Sequence, residues 1–242
     1  MRIPRLYLHQ TINSGDTITL DDNTANHSVR VLRLKENAPV ILFNGEGGEF
    51  EATIETIKKE VTVKVGRFID INRESPLRIH LVQGISRGER MDYTIQKAVE
   101  LGITEITPVI TDRCVVKLTA ERAQKRLDHW QGVMISACEQ SGRTQIPQLN
   151  PIQKLDDWMD QPRRIPGLVL YHKANKTLSD ITRPEGDITL LIGPEGGLDE
   201  AEIKHAVNKG FTEIQLGPRV LRTETAALTV LSAIQTMWGD LG

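Results

Sequence analysis

Residues 188–209, ITLLIGPEGGLDEAEIKHAVNK, decide the fold. Ile188 to Ile192 is a short, continuously apolar run of the kind that buried parallel strands show. A glycine-rich turn, Gly193-Pro194-Glu195-Gly196-Gly197-Leu198, follows directly. Asp199 to Lys209 then has helical spacing and stops at Gly210. The same strand-turn-helix step recurs along the chain. Arg78 to Ile85 reads as a strand, Arg90 to Leu101 as a helix with Met91, Ile95, Ala98 and Val99 on one face, and Ile103 to Ile110 as the next strand. Thr119 to Gly142 is a long helix with Thr119 as its expected cap. Leu168 to Tyr171 and Phe211 to Leu216 are further strands, and Thr223 to Trp238 is a last helix. Such alternation implies right-handed crossovers and a mainly parallel α/β sheet covered on both faces.

Upstream of residue 73 the pattern differs. Leu6-Tyr7-Leu8, Thr17 to Leu20, Val40 to Phe43, Phe50 to Ile57 and Val61 to Ile69 are short alternating runs separated by turn signals such as Asn44-Gly45-Glu46-Gly47-Gly48. Strands at this spacing read as a small barrel or sandwich. Thr24 to Leu34 is the one helical piece, with Asp22 or Asn23 as its expected cap. Asn72 to Pro76 reads as a linker, which divides the chain into domains 1–72 and 73–242.

The 242 residues carry 30 Lys and Arg against 32 Asp and Glu, a net charge of −2, with 39% hydrophobic and 26% charged residues. Those fractions exclude wholesale disorder. No stretch approaches ~18 consecutive apolar residues, and no apolar segment of signal-peptide type follows the first ten residues. Cys114 and Cys138 are too few for a disulfide framework or a four-ligand zinc site, and the six histidines show no metal spacing, so no metal is expected. Two such thiols suit a reducing cytoplasm. Near-neutrality offers no global attraction for nucleic acid, so any polyanion must be met by local basic clusters.

Three loops are unlike ordinary connectors. In 193–197 three glycines permit close backbone approach to a ligand, and the helix start beyond them offers N–H donors; a tight strand-to-helix turn is the plain alternative. Leu216-Gly217-Pro218-Arg219-Val220-Leu221-Arg222-Thr223-Glu224 again ends a strand in Gly-Pro, and its arginines suit an oxyanion, a phosphate or a polarised base carbonyl. Glu224 in the first helical turn also complements the helix dipole. Ala137-Cys138-Glu139-Gln140-Ser141-Gly142-Arg143 closes the long helix as a polar site or a polar cap. No G-x-S-x-G elbow, Rossmann fingerprint or P-loop is present. The residues alone therefore define a two-domain α/β protein with a small-molecule site built from glycine-rich loops.

Three stretches, ACEQSGR (137–143), IGPEGGLDEAEI (192–203) and LGPRVLRTETAAL (216–228), carry a resemblance to the RsmE-type 16S ribosomal RNA uracil-N3 methyltransferases of the SPOUT class. RIPRLYL (2–8), HSVRVLRLK (27–35), LFNGEGGEFEA (42–52) and QKAVELGITEITPV (96–109) support it in the same order along the chain. Departures are small: Glu36-Asn37 replaces a more usual Gly-Asp, and Cys114 a common serine. The resemblance implies a small N-terminal PUA-like β-barrel domain that binds RNA and a C-terminal SPOUT-type α/β domain tied in a trefoil knot. It further implies a homodimer that uses S-adenosylmethionine, with contacts from Leu191, Gly193, Glu195, Gly196, Gly197, Leu216, Gly217, Leu221, Arg222 and Thr223. The final helix, with Ala226, Ala227, Val230 and Ile234, is then either an interface element or simple core packing.

The implied reaction moves a methyl group from a sulfonium to uracil N3, which must lose its proton. Arg222 is the expected stabiliser of the uracil anion, and either Glu139 or Glu224 accepts the proton or positions the base. The implied partner is 16S ribosomal RNA in the assembled small subunit. Arg2, Arg5, Arg30, Arg33 and Lys35, with Arg143, are candidate RNA contacts; a solvated basic surface is the alternative. A SPOUT methyltransferase acting on another RNA and a non-catalytic ribosome-assembly factor are the competing functions.

Overall fold

Val61, Val63 and Val65 alternate with Thr62 and Lys64, and the chain obeys that period. In the computed structural model, which describes residues 3–114, 119–162 and 167–242, the three valines are buried and the residues between them are not. They lie on the last of five strands, β1 (Arg5–Tyr7), β2 (Thr17–Thr19), β3 (Pro39–Phe43), β4 (Glu49–Ile57) and β5 (Val61–Ile69), ordered β1-β3-β4-β5-β2. Only β1 and β3 pair in parallel. Leu6, Leu42, Ile54 and Val63 are fully buried at the centre of the core, with Val29, Leu32 and Leu34 packed against it.

The helical piece differs in detail from the expectation. The Asp21 carboxylate accepts the Asn23 and Thr24 N–H groups at 2.9 and 3.0 Å, so Asp21 is the cap, and Asp22 already belongs to α1 (Asp22–Asn26). The chain then widens into a π-turn over His27–Val31, closed by the Leu32 N–H on the His27 carbonyl at 3.0 Å. Arg33 ends it with φ +54°, a left-handed conformation uncommon for a residue with a side chain.

This first compact unit runs to Glu74 and takes in Ile135–Ile146. Buried ion pairs hold it. Arg5 pairs with Glu49, Arg73 reaches the same carboxylate at 3.1 Å, and Arg143 Nε donates to Glu74 at 2.8 Å. Arg5 also donates to the Arg143 carbonyl at 2.9 Å and Arg73 to that of Gly142 at 3.0 Å. Residues 73 and 74, read from the sequence as part of a linker, are thus engaged in this network. Burial alone would raise the Glu49 carboxyl, but hydrogen bonds and charge from Arg73 and Arg5 hold it below the usual range.

The second unit comprises Ser75–Met134 and Pro147–Gly242. Its strands are β6 (Ile79–Gly84), β7 (Glu105–Ile110), β8 (Gln148–Leu149), β9 (Gln153–Lys154), β10 (Gly167–Leu170), β11 (Ile188–Ile192) and β12 (Phe211–Ile214). All pair in parallel, in the order β12-β10-β11-β6-β7-β8, with β9 also on β7. Every residue of β11 is buried, as expected for a strand covered on both faces. The helices are α2 (Glu89–Glu100), α3 (Ala120–Ser141), whose residues from Ile135 onward count with the first unit, α4 (Leu155–Met159), α5 (Glu200–Asn208) and α6 (Thr223–Trp238). Thr119 Oγ1 accepts the Arg122 N–H at 3.4 Å at the start of α3. Ala227, Val230 and Ile234 of α6 are fully buried within the chain's own core. The molecule is therefore a mixed α/β protein with a small N-terminal β domain and a C-terminal parallel sheet. Among the described residues, no helix is long and apolar enough to cross a membrane.

Candidate active site

Parallel strands end at one edge, and that edge carries the two Gly-Pro loops. After Ile192 the chain turns through Gly193, where a Cβ would lie 2.7 Å from the Gly197 carbonyl carbon and the Leu198 nitrogen. No larger residue fits without moving backbone. Thr223 Oγ1 donates to the Gly193 carbonyl at 2.7 Å, and the fully buried Gln83 Nε2 donates to Thr223 Oγ1 at 3.0 Å. One hydroxyl thereby fixes the start of α6 to the glycine loop.

The far side of that loop is held by charge. Glu195 Oε1 accepts the Arg87 N–H and an Arg90 Nη1–H, both at 2.9 Å. Arg113 donates to the Gly196 carbonyl at 3.0 Å. Burial works to raise the Glu195 carboxyl, yet the Arg87 N–H and Arg90 hold it below its ordinary value. Two of the N–H donors at the helix start beyond the loop are taken up by a capping box. Asp199 caps α5 by accepting the Glu202 N–H at 2.7 Å, and Glu202 returns the bond to the Asp199 N–H at 2.8 Å.

Between these loops lies a cavity of about 250 Å³. It is lined by Gly193, Glu195, Gly196, Gly197, Leu216, Gly217, Leu221 and Thr223, eight of the ten positions expected to meet the cofactor. The other two lie elsewhere. Leu191 is fully buried in the core with Val82, Val109 and Val169. Arg222 is exposed at the N-cap of α6, between two lining residues. Gly217 has φ +79° and open space around its α-carbon, so backbone is presented to the cavity there. Leu170, Tyr171 and His172 also line it, and sequence reasoning missed them. Leu170 ends β10, which sits between β11 and β12, and the other two follow it, so the rule that ligands gather at carboxyl edges of strands would have found them.

The remaining candidates divide between the units. Glu224, in the first turn of α6, has a buried Oε2 with no hydrogen-bond partner among the described residues. Glu139 belongs to the first unit, where it accepts the Tyr7 N–H at 3.0 Å and burial pushes its carboxyl above the usual range. Arg30, Arg33 and Lys35 are exposed. Arg5 and Arg143 are buried, at 8% and 5% exposure, against carboxylates of their own unit, so they are not surface groups. Arg2 lies outside the described residues. Among the described residues no three His, Cys, Asp or Glu side chains are grouped to hold a metal.

A parallel sheet with glycine loops at its carboxyl edge, joined to a small β domain, is the build of an RNA methyltransferase. The RNA methyltransferase domain family matches residues 73–235, and the RNA methyltransferase PUA domain matches residues 20–66. Ribosomal RNA small subunit methyltransferase E of Buchnera aphidicola is 34% identical over 99% of this chain and 95% of its own. The enzyme of that name from Neisseria gonorrhoeae, solved bound to S-adenosyl methionine, is 42% identical with a TM-score of 0.93 over the whole of both chains. A Legionella pneumophila structure, solved with bound SAM, is 43% identical with a TM-score of 0.96, again over both chains in full. The chain belongs to the ribosomal RNA small subunit methyltransferase E family.

Proposed function

We propose that this protein transfers a methyl group from S-adenosylmethionine to N3 of a uridine in 16S ribosomal RNA, within the small subunit in the cytoplasm. The observation that carries the reading is the cavity between the two Gly-Pro loops, lined by glycine backbone and by Leu216 and Leu221. Backbone N–H and C=O groups at 193–197 and 217 suit the adenine and ribose, and the two leucines suit the flat apolar faces of the base. The bound cofactor supplies an electrophilic methyl on sulfur.

The protein's task is then to orient the acceptor and manage one proton. Uracil N3 must lose its hydrogen, leaving negative charge on O2 and O4. Arg222 is our choice to meet that charge, because it is an exposed residue between Leu221 and Thr223, both of which line the cavity. Of the two carboxylates, Glu224 is the better acceptor for the proton: it shares the unit of the cavity, and its buried Oε2 has no hydrogen-bond partner among the described residues. Glu139 is engaged by the Tyr7 N–H in the other unit, and positioning suits it better. The trefoil knot and the homodimer belong to the same proposal, as do Arg30, Arg33 and Lys35 as RNA contacts of the N-terminal domain.

Mass spectrometry of nucleosides from the ribosomal RNA of cells lacking the protein tests the substrate. The expected result is loss of one N3-methyluridine, restored by the intact gene and not by Arg222→Ala. Calorimetry with S-adenosylmethionine separates an enzyme from a non-catalytic assembly factor. Arg222→Ala should still bind the cofactor while turnover falls about 10²- to 10³-fold. Unchanged turnover removes Arg222 from the mechanism.

A further inference from the structure

The rim of the cavity carries a row of arginines, most of which the reaction leaves without a role. Arg87 stands on the loop after β6, Arg113 on the loop after β7, and Arg219 and Arg222 on the loop after β12; all four are exposed. Because the strands are parallel, these loops leave the sheet at one edge. Arg113 turns back to the Gly196 carbonyl, so the uncommitted arginines run from β12 to β6, three strand spacings of about 4.8 Å or about 14 Å.

The carboxylates nearby are already engaged or few. Glu195 is neutralised by Arg90, and Glu200 by Lys173 at 3.2 Å. Asp112 is exposed next to Arg113, and Glu89 is exposed two residues after Arg87. No carboxylate pairs with Arg87, Arg219 or Arg222 among the described residues. Unpaired like charges on neighbouring loops repel one another, and a polyanion laid along them relieves that repulsion.

A second feature narrows the partner. Val220, between Arg219 and Leu221, is 82% exposed and lines the cavity mouth. An apolar side chain held in water beside guanidinium groups suits a partner with charge and flat apolar surface in alternation. A single-stranded nucleic acid is such a partner, whereas a duplex hides the faces of its bases.

We propose that this rim is a docking track for an unpaired stretch of RNA, with Arg87 and Arg219 on its phosphates and Val220 against the face of a base. The proposal rests on the reading of the substrate as RNA. It adds a binding surface on the catalytic domain, separate from the basic residues of the N-terminal domain.

The test compares a short single-stranded RNA with a duplex of the same sequence, each titrated against the full-length protein at several salt concentrations. Wild type should prefer the single strand. Arg87→Gln and Arg219→Gln should each weaken its binding about three- to tenfold at low salt and take about 0.7 off the slope of log K against log salt. Val220→Ala should weaken it about two- to fivefold with no change of slope. These side chains are exposed, so thermal unfolding should be unchanged, and Arg87→Gln should keep the wild-type affinity for S-adenosylmethionine. A double arginine variant with wild-type affinity and slope overturns the track, as does a wild type that binds duplex equally well or binds neither RNA. If wild type methylates ribosomal RNA in any of those cases, the enzymatic reading survives the loss of the track. If wild type methylates no RNA, that reading falls by itself.

Discussion

Two sets of arginines, one in each unit, sit in opposite surroundings. In the first, Arg5 and Arg143 are buried against Glu49 and Glu74, and Arg5 also donates to the Arg143 backbone carbonyl just past the end of α3. In the second, Arg87, Arg219 and Arg222 stand on loops with no carboxylate attached among the described residues. A buried guanidinium holds polypeptide together only while its partner is charged. An exposed one adds almost nothing to stability and remains open to a ligand. The residue type is the same, and its surroundings decide between scaffold and site.

The comparison breaks most sharply at Glu49. Glu49→Gln leaves Arg5 buried without a counter-charge and should cost about 3–5 kcal/mol, read as a lower midpoint in denaturant. Because the folded carboxyl is held below its unfolded value, Glu49 stabilises above the ordinary carboxylate range and loses that contribution as pH falls through it. Wild-type stability should therefore decline on acidification, and the variant should show a flatter profile. A variant that follows the wild-type acid profile would place the cause elsewhere.

Gly193→Ala strikes the other unit. Its Cβ meets backbone at 2.7 Å, and overpacking of about 1–3 kcal/mol should appear as cofactor binding weakened about five- to a hundredfold. Calorimetry measures this, and wild-type affinity would show that the loop tolerates the methyl group. The smallest effect is expected at Glu195→Gln, which keeps one acceptor for the Arg87 N–H but loses the charge that attracts Arg90. With Arg90 44% exposed, about 0.5–1 kcal/mol is at stake. Cofactor affinity should fall about two- to fivefold, and a larger loss would mean that Glu195 touches the ligand itself.

Much of the parallel domain was legible in the sequence because its elements are local. The apolar run at 188–192, the glycines after it and the helix from 200 each declare themselves within a few residues. Eight of the ten cofactor positions that the resemblance implies line the cavity between the two Gly-Pro loops. Leu191, which the resemblance also implies, is fully buried in the core, as expected for any residue of a strand covered on both faces. Arg5 and Arg143 read as surface charge because their partners are 44 and 69 residues away, and nothing in local composition announces a pair at that distance. Asp21 rather than Asp22 caps α1 for a smaller reason: adjacent acidic residues compete, and backbone geometry chooses between them. Sheet order was not legible at all, since it depends on pairings between distant strands.

That order has a consequence during synthesis. β6 is the first strand of its sheet to leave the ribosome, and one of its edges pairs with β11, Ile79 opposite Ile188, about 110 residues later. At about 5–20 residues per second, that edge waits roughly 5–20 s for its neighbour. Throughout that interval the nascent chain presents an apolar, hydrogen-bond-hungry strand to the crowded surroundings of the translating ribosome. Slowing elongation before codon 188 should lengthen the exposure and lower the soluble yield, a demand on chaperones that the finished molecule no longer makes.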